Sequence, residues 1–279
     1  MTGTSFARRT RRTARRAADS TAIDRAARAG FVARGVLYFL IGMIAIRIAF
    51  HPGSGEQADR SGALAEIADK PFASVLLWAL GIATAGMALW RLSEAAFGAS
   101  APDGRKAHKR LLSACRAVFY GFVAYSVIAF ATGSGNGGNS SDRQSKDITA
   151  RALEMPGGRW LVGAAAVGVI VAGGWILVRA VRRTFRKHLR MAGVGRQVRR
   201  TVDALGVCGG VARGLLFGGV GAFALIAAVR FDPENAKGID DTLRAFTRTP
   251  VGPWLLVVIA AGLLAFSGFS FASARYRRT

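Results

Sequence analysis

The chain has 279 residues, of which 51% are hydrophobic, and it carries a formal net charge of +23 at pH 7. In a soluble protein such a charge would suggest a nucleic-acid partner, but the mean hydropathy is positive and the apolar residues form long runs. The composition therefore argues against a nucleic-acid-binding protein and predicts an all-α integral membrane protein.

Six apolar runs are long enough to cross a membrane as helices, because about 20 apolar residues match the thickness of a bilayer core. A soluble domain of this length would instead show short, periodic apolar segments. The predicted membrane helices cover residues 31–50, 72–92, 111–132, 160–181, 205–231 and 254–274.

Basic residues are distributed unevenly between the two sides that six crossings define. The segment before the first helix, the second and fourth connections and the C-terminus together hold 25 Lys and Arg. The first, third and fifth connections hold ten, together with 11 acids. Because Lys and Arg are retained on the cytoplasmic side, we predict that both termini are cytoplasmic. Residues 1–26 then form a basic cytoplasmic tail that faces anionic lipid headgroups.

One 18-residue pattern occurs three times, as VARGVLYFLIGMIAIRIA (32–49), ACRAVFYGFVAYSVIAFA (114–131) and VARGLLFGGVGAFALIAA (211–228). The first copy agrees with the third at eight of 18 positions and with the second at five. Each copy precedes a polar loop, a proline (Pro71, Pro156 or Pro250) and a second apolar run. The chain therefore divides into three repeats of two membrane helices, at residues 27–98, 110–185 and 205–278, with a basic cytoplasmic connection at 186–204.

Each repeat crosses the membrane twice, so the three repeats are parallel and related by a pseudo-threefold axis along the membrane normal. The inverted repeats of many alternating-access transporters are excluded by this topology. Residues 133–147 are polar and Gly-rich, which predicts a flexible outer loop. Residues 181–201 place Val181, Phe185 and Leu189 at four-residue spacing among basic residues. This pattern indicates either a basic amphipathic helix on the inner membrane surface or an extension of the fourth helix.

A stripe of small residues accompanies each repeat arginine. Its members are Gly35, Gly42, Ala117, Ala124, Gly210, Gly214, Gly218 and Gly221. Spacings of four and seven residues keep them near one face of a helix, and small residues let membrane helices approach closely. We predict that the first, third and fifth membrane helices form an inner bundle with the second, fourth and sixth outside it. A pore lined by the small residues is the alternative.

The three repeat arginines, Arg34, Arg116 and Arg213, lie within predicted membrane helices. Charges there are costly and often mark the path of an ion or substrate, so the three could ring an anion site. They also lie near the cytoplasmic helix ends, where their side chains can reach lipid headgroups. An aromatic residue follows each of them by four positions and could stack on the guanidinium. Both interpretations, interfacial anchor and anion-contacting site, stay open at this point.

The sequence contains no arrangement typical of a catalytic or metal centre. His51, His108 and His188 are far apart and lack acidic or Cys neighbours, so no metal ligand set is indicated. Cys115 and Cys208 fall within predicted helices, where we expect small buried side chains. No acid lies in the middle of a span, which removes the usual proton relay of a pump. We therefore expect no enzyme activity and no cofactor.

The repeats resemble a bacterial membrane-protein family, Domain of Unknown Function 1206. The residues that carry the resemblance are Ala33-Arg34-Gly35, Cys115-Arg116-Ala117 and Ala212-Arg213-Gly214, together with the prolines that follow, over residues 27–278. The resemblance implies three two-helix membrane units and supplies no activity, ligand or catalytic residue.

The sequence thus predicts a structural, scaffolding or accessory component of the bacterial inner membrane. Its basic face would contact anionic lipid or an unidentified protein partner. A small transporter or channel, with a path between the three repeats, is the alternative.

Overall fold

The computed structural model describes residues 21–51, 56–98, 107–133, 141–189, 191, 194–247 and 252–276, and in these residues the regular secondary structure is helical. Most of the basic tail and residues 134–140 of the third connection lie outside this part of the chain. The disposition of both segments therefore stays a prediction.

The described residues form nine α-helices in three groups, each with a long, a short and a long helix. Their bounds are Thr21–Phe50 (α1), Arg60–Ala68 (α2), Ala73–Phe97 (α3), Ala107–Ala131 (α4), Ser141–Leu153 (α5), Gly158–Val181 (α6), Arg196–Arg230 (α7), Ile239–Thr247 (α8) and Gly252–Tyr276 (α9). The six long helices correspond to the predicted crossings, and all six are long and apolar enough to span a membrane. The prediction of an all-helical chain with six membrane helices is confirmed.

The long helices pack against one another in the order α4, α3, α1, α9, α7, α6, and we call this series the ring. Consecutive members of this series pack extensively against each other, and every such contact joins an odd-numbered membrane crossing to an even-numbered one. Between α4 and α6, the two long helices of the second repeat, no comparable packing exists among the described residues. The ring is therefore closed at five interfaces and open at the sixth. The predicted pseudo-threefold arrangement and inner position of α1, α4 and α7 stay predictions.

The short helices α2, α5 and α8 close one end of the ring, which we call the capped end; the opposite, terminal end carries the α3–α4 and α6–α7 connections. The three caps hydrogen-bond to one another across repeats. The Ala58 N–H donates to Asp240 Oδ1 at 2.8 Å, and the Asp241 N–H donates to Asp142 Oδ1 at 3.1 Å. One apolar core runs beneath the caps and includes side chains from all three repeats.

Residues 141–147, predicted to belong to a flexible outer loop, form the first half of α5 instead. Their polar side chains contact the fifth connection: Asp142 accepts the hydrogen bond from Asp241, and Lys146 Nζ donates to Glu234 Oε2 at 2.8 Å. The prediction was wrong for these residues because their partners are 99 and 88 positions away in the sequence.

Neither prediction for the connection at 181–201 was correct. The α6 helix ends at Val181, Arg183 adopts a left-handed conformation with φ of 52°, and Thr184–His188 forms a short 3-10 helix. The helix that extends beyond its apolar run is α7, which begins at Arg196. Arg186 holds the two segments together, because its Nε donates to Asp203 Oδ1 at 2.7 Å.

Candidate functional site

The small residues predicted to pack helices lie at interfaces between repeats. A Cβ atom on Gly35 would lie 2.8 Å from the Phe271 ring of α9, and one on Gly42 would lie 2.9 Å from Leu264. On α7, a Cβ on Gly210 would lie 2.4 Å from Ala180, one on Gly214 2.8 Å from Leu177 and one on Gly221 2.8 Å from Ile170, all on α6. Ala117 and Ala124 of α4 are buried, and the extensive contact of that helix is with α3.

Gly218 differs from the rest of the stripe. A Cβ atom on this residue would have no neighbour within 4 Å, although its backbone nitrogen is close to Gly173 of α6. Gly173 itself would clash there, with a Cβ only 2.8 Å from that nitrogen. The stripes thus serve close approach between odd and even crossings, and their partners are not the other odd crossings.

Arg34 is held by groups on three helices at the terminal end of the ring. Its Nε donates to Ser270 Oγ of α9 at 3.1 Å, and the Tyr120 side chain of α4 is close enough to interact with its charge. Its guanidinium carbon lies 4.8 Å and 4.9 Å from the ring centroids of Phe31 and Phe266. These contacts replace the predicted stacking on Tyr38, and they tie the first repeat to the other two.

Arg213 shares the Phe266 ring with Arg34. Its guanidinium carbon lies 4.3 Å from the Phe266 centroid, 5.2 Å from that of Tyr38 and 5.6 Å from that of Phe217. Its Nε is buried and has no hydrogen-bond partner among the described residues. The charges of Arg34 and Arg213 repel each other, so cation–π contacts stabilise this pair where no carboxylate does.

Arg116 lies in a second group of cations, on the side of the ring where α4 faces α6. Its charge interacts with those of Arg91 on α3 and Arg179 on α6 and with the carboxylate of Glu94. Glu94 Oε2 is already 2.6 Å from Arg91 Nη1, and the guanidinium of Arg91 also stacks 4.2 Å above the Trp90 ring. Glu94 is therefore paired with Arg91 and not with Arg116.

The structure therefore brings Arg34 and Arg213 together and leaves Arg116 in a separate group, with Tyr120 between them. The Tyr120 side chain is close enough to interact with the charges of Arg34, Arg91 and Arg213. Arg91 and Arg179 were counted in the sequence only as topology signals. Both lie at the terminal ends of even-numbered crossings, next to a helix that carries a repeat arginine. That position in the sequence could have identified them as members of the cationic group. Guanidinium groups without carboxylate partners can bind oxyanions but supply no general base or nucleophile.

A small cavity lies between α1, α7 and α9. Its volume is about 30 Å³, room for one or two water molecules, and it is lined by Tyr38, Ile41, Leu216, Phe217, Val220, Ile239 and Leu263. A larger hollow of about 310 Å³ lies at the capped end, where Glu56, Glu66 and Asp69 contribute to its lining. There Arg47 Nη1 bonds to Glu56 at 3.2 Å and to Glu66 at 3.1 Å.

Three carboxylates from two repeats meet where α5 and α8 adjoin at the capped end. One oxygen from each of Asp142, Asp240 and Asp241 lies within 4.8 Å of the others. The pKa of Asp142 is raised to about 6, mainly by burial; the hydrogen bond from the Asp241 N–H opposes the rise, and the carboxylates of Asp241, Asp240 and Asp59 add to it. Burial also raises the pKa of Asp240, against the hydrogen bond from Arg244. This spacing would suit a hard cation, but Asp142 and Asp240 already accept backbone hydrogen bonds, and we assign no metal to them.

Two further expectations concern the cysteines. Cys115 and Cys208 were expected to be buried, but both are exposed at the surface of the ring. The helix positions were predicted correctly, whereas the faces were not, because a lipid-facing helix surface is as apolar as a buried one.

These features define a multi-pass membrane protein with three repeated units and an arginine-rich terminal end. The model of the family Domain of Unknown Function (DUF1206) matches residues 29–98, 113–183 and 208–277, so the chain belongs to this family. It is also similar to the protein "Uncharacterized protein YxxB" of Bacillus subtilis (strain 168), with 28% identity over 257 residues that cover 91% of each chain. No solved structure matches the chain.

Proposed function

We propose that the protein is a non-enzymatic structural, scaffolding or accessory component of the bacterial cytoplasmic membrane, with both termini in the cytoplasm. The observation that carries this proposal is the largest apolar cluster, to which α1, α4 and α7 all contribute, with side chains such as Leu37, Val127 and Leu216. Packed apolar side chains of this kind leave no room for a wet path where they meet. A packed interior suits a protein that positions lipids or other proteins.

The charge of the terminal end supports contact with anionic lipid headgroups or with an acidic protein partner. Exposed basic residues there include Arg25, Arg28, Arg182, Lys187 and Arg199. Basic residues near the cytoplasmic leaflet are attracted by about 1 kcal/mol each. Bacterial membranes would therefore fix this end of the protein on the cytoplasmic side, in agreement with the retention of Lys and Arg.

A second candidate, an anion transporter, is favoured by one observation. Arg34, Arg116 and Arg213 are partly buried, and none of them forms an ion pair with a described carboxylate. Charges in that situation can mark a substrate pathway. This reading requires an opening of the core that the present packing lacks.

Anion flux in liposomes tests the two candidates against each other. The purified full-length protein would be reconstituted at known orientation, and chloride, nitrate and phosphate flux compared with empty liposomes and with the Arg213→Ala protein. We expect no flux above that of empty liposomes for either protein. Saturable flux that Arg213→Ala abolishes would establish the transporter and refute the scaffolding role.

The orientation is tested separately by fusing green fluorescent protein or alkaline phosphatase to each terminus. Green fluorescent protein is expected to fluoresce at both ends, and alkaline phosphatase to be inactive at both. Phosphatase activity at either terminus would contradict the assigned topology, whatever the flux measurement gives.

A further inference from the structure

The opening in the ring lies between α4 and α6, the two long helices of the second repeat. Each of these helices packs extensively on its other neighbour, α4 on α3 and α6 on α7. Between the two, the described residues make no comparable contact. Both helices are long and apolar enough to span a membrane, so the opening, which we call the seam, faces the lipid.

The terminal end of the seam is lined by positive charge. Arg116 of α4 and Arg179 of α6 are both partly buried, and the charge of Arg179 is close enough to act on that of Arg116. Arg91 of α3 adds a third charge in the same region. The carboxylate of Glu94 is within electrostatic range, but it lies 2.6 Å from Arg91 and is engaged there.

The guanidinium groups of Arg116 and Arg179 are not satisfied by the protein. Neither donates a hydrogen bond or forms an ion pair with a residue of the described chain. Arginine stays protonated in proteins and offers five N–H donors. Both groups are partly buried, and an anion bound between them would offset the cost of holding two like charges in a medium of low dielectric constant.

Apolar side chains follow the arginines toward the capped end. Phe119 lies one turn beyond Arg116 on α4 and is 53% exposed, and Trp175 lies one turn beyond Arg179 on α6 and is 60% exposed. Positive charge therefore lies at the terminal end, and exposed aromatic rings lie deeper in the membrane. A phospholipid has the complementary arrangement, with its phosphate at the surface and its acyl chains below.

We propose that the seam between α4 and α6 binds an anionic phospholipid, with its phosphate between the guanidinium groups of Arg116 and Arg179 and its acyl chains along Phe119 and Trp175. The bidentate fit of guanidinium to phosphate makes Arg suited to this contact. A soluble anion is a poorer occupant, because the seam faces lipid along its length. The site rests on the proposed function in one respect, the cytoplasmic orientation of the terminal end, where anionic lipids are abundant.

Native mass spectrometry of the full-length protein tests the site. The protein, purified in detergent, is titrated with phosphatidylglycerol, with phosphatidylcholine and with inorganic phosphate. We expect one phosphatidylglycerol to bind at least tenfold more tightly than phosphatidylcholine, with no comparable effect of phosphate. The Arg116→Gln and Arg179→Gln proteins should each bind phosphatidylglycerol at least tenfold more weakly.

The matched control is Arg275→Gln, which removes one exposed positive charge at the terminal end of α9. Its affinity for phosphatidylglycerol should stay within about twofold of the wild type. Equal weakening by Arg275→Gln would mean general surface attraction and would overturn the site. Equal binding of phosphatidylcholine, or saturation by inorganic phosphate in place of lipid, would overturn it as well.

A measurement on the unaltered protein covers the case in which a variant fails to fold. Photoreactive phosphatidylglycerol with its reactive group near the glycerol should cross-link to peptides of both α4 and α6, and unlabelled phosphatidylglycerol should compete. Cross-links confined to other helices would refute the proposal. Absence of lipid binding together with absence of anion flux would remove this site and leave the scaffolding role intact, so the two failures are distinguishable.

Discussion

The carboxylates beneath the caps make the stability of the capped end depend on pH, and Asp142 is the group through which this is best tested. Asp142 has an ordinary pKa of 3.8, which the fold raises to about 6. A group with a raised folded-state pKa contributes stability that is fully present below its unfolded value and is lost as the pH rises through its folded value. The protein should therefore be most stable near pH 4 and lose stability between about pH 4 and pH 6.

The magnitude follows from the size of the rise. About two pKa units correspond to at most about 3 kcal/mol, and because Asp142 is partly exposed, solvent screening reduces this to about 1 kcal/mol. Asp142→Asn removes the charge and keeps an oxygen that can accept the Asp241 N–H. The variant should be more stable than the wild type at pH 7.5 by about 1 kcal/mol, or about 2–4 °C in Tm for a domain of this size.

Thermal unfolding in nanodiscs between pH 4 and pH 8, with and without EDTA, measures the effect. Other carboxylates contribute to the pH profile, so the informative quantity is the difference between the two proteins, with Asp147→Asn as a control on the exposed face of α5. That difference should vanish near pH 4 and grow to its full value above pH 6. An Asp142→Asn protein that is less stable at pH 7.5, or one with the same pH profile as the wild type, would show that the fold does not raise the pKa of Asp142.

Three further predictions concern helix packing and backbone conformation. Gly214→Leu should lower the free energy of unfolding by about 3 kcal/mol or more, because its Cβ would lie 2.8 Å from Leu177. Gly218→Ala should be nearly neutral, because a Cβ there would lie in open space. Chemical denaturation in detergent compares the stability of the two variants. Gly157→Ala should lower the free energy of unfolding by about 1–2 kcal/mol, because Gly157 has a φ of +76°. Gly121→Ala, where a Cβ would also lie in open space, should not lower it. Equal effects of the two substitutions would refute the argument from backbone conformation. Asp203→Asn should speed hydrogen exchange in the first turns of α7, because Arg186 loses its charged partner; unchanged exchange there would show that the 3-10 segment is held by other contacts.

The membrane helices could be predicted from the sequence because their signal is local. Length and hydropathy determine a crossing, and a repeated arginine with a later proline identifies the units. The same local signal places Gly35 and Gly214 at close helix contacts but does not specify the partner helix. Their partners, Phe271 on α9 and Leu177 on α6, depend on how the three units join.

The candidate sites depended on contacts that sequence spacing does not encode. Arg34 bonds to Ser270 across 236 residues, and Asp142 accepts a hydrogen bond from Asp241 across 99. In each case one partner is a polar residue of a kind found throughout membrane-protein sequences. The repeat arginines also lie in two groups because α4 and α6 do not pack against each other. No pattern of residues in the sequence predicts that missing contact.

The glycine-lined contacts have a consequence for how such a chain can be assembled. The closest approaches join the second long helix of one unit to the first long helix of the next: α3 to α4, α6 to α7 and α9 to α1. The first and last long helices of the chain, α1 and α9, therefore pack against each other although they stand at opposite ends of the sequence. Because a chain is synthesised from its N-terminus, the contact between α9 and α1 can form only after all three units are present. That contact is the closing step of assembly, and it depends on α1 staying accessible until α9 has been made.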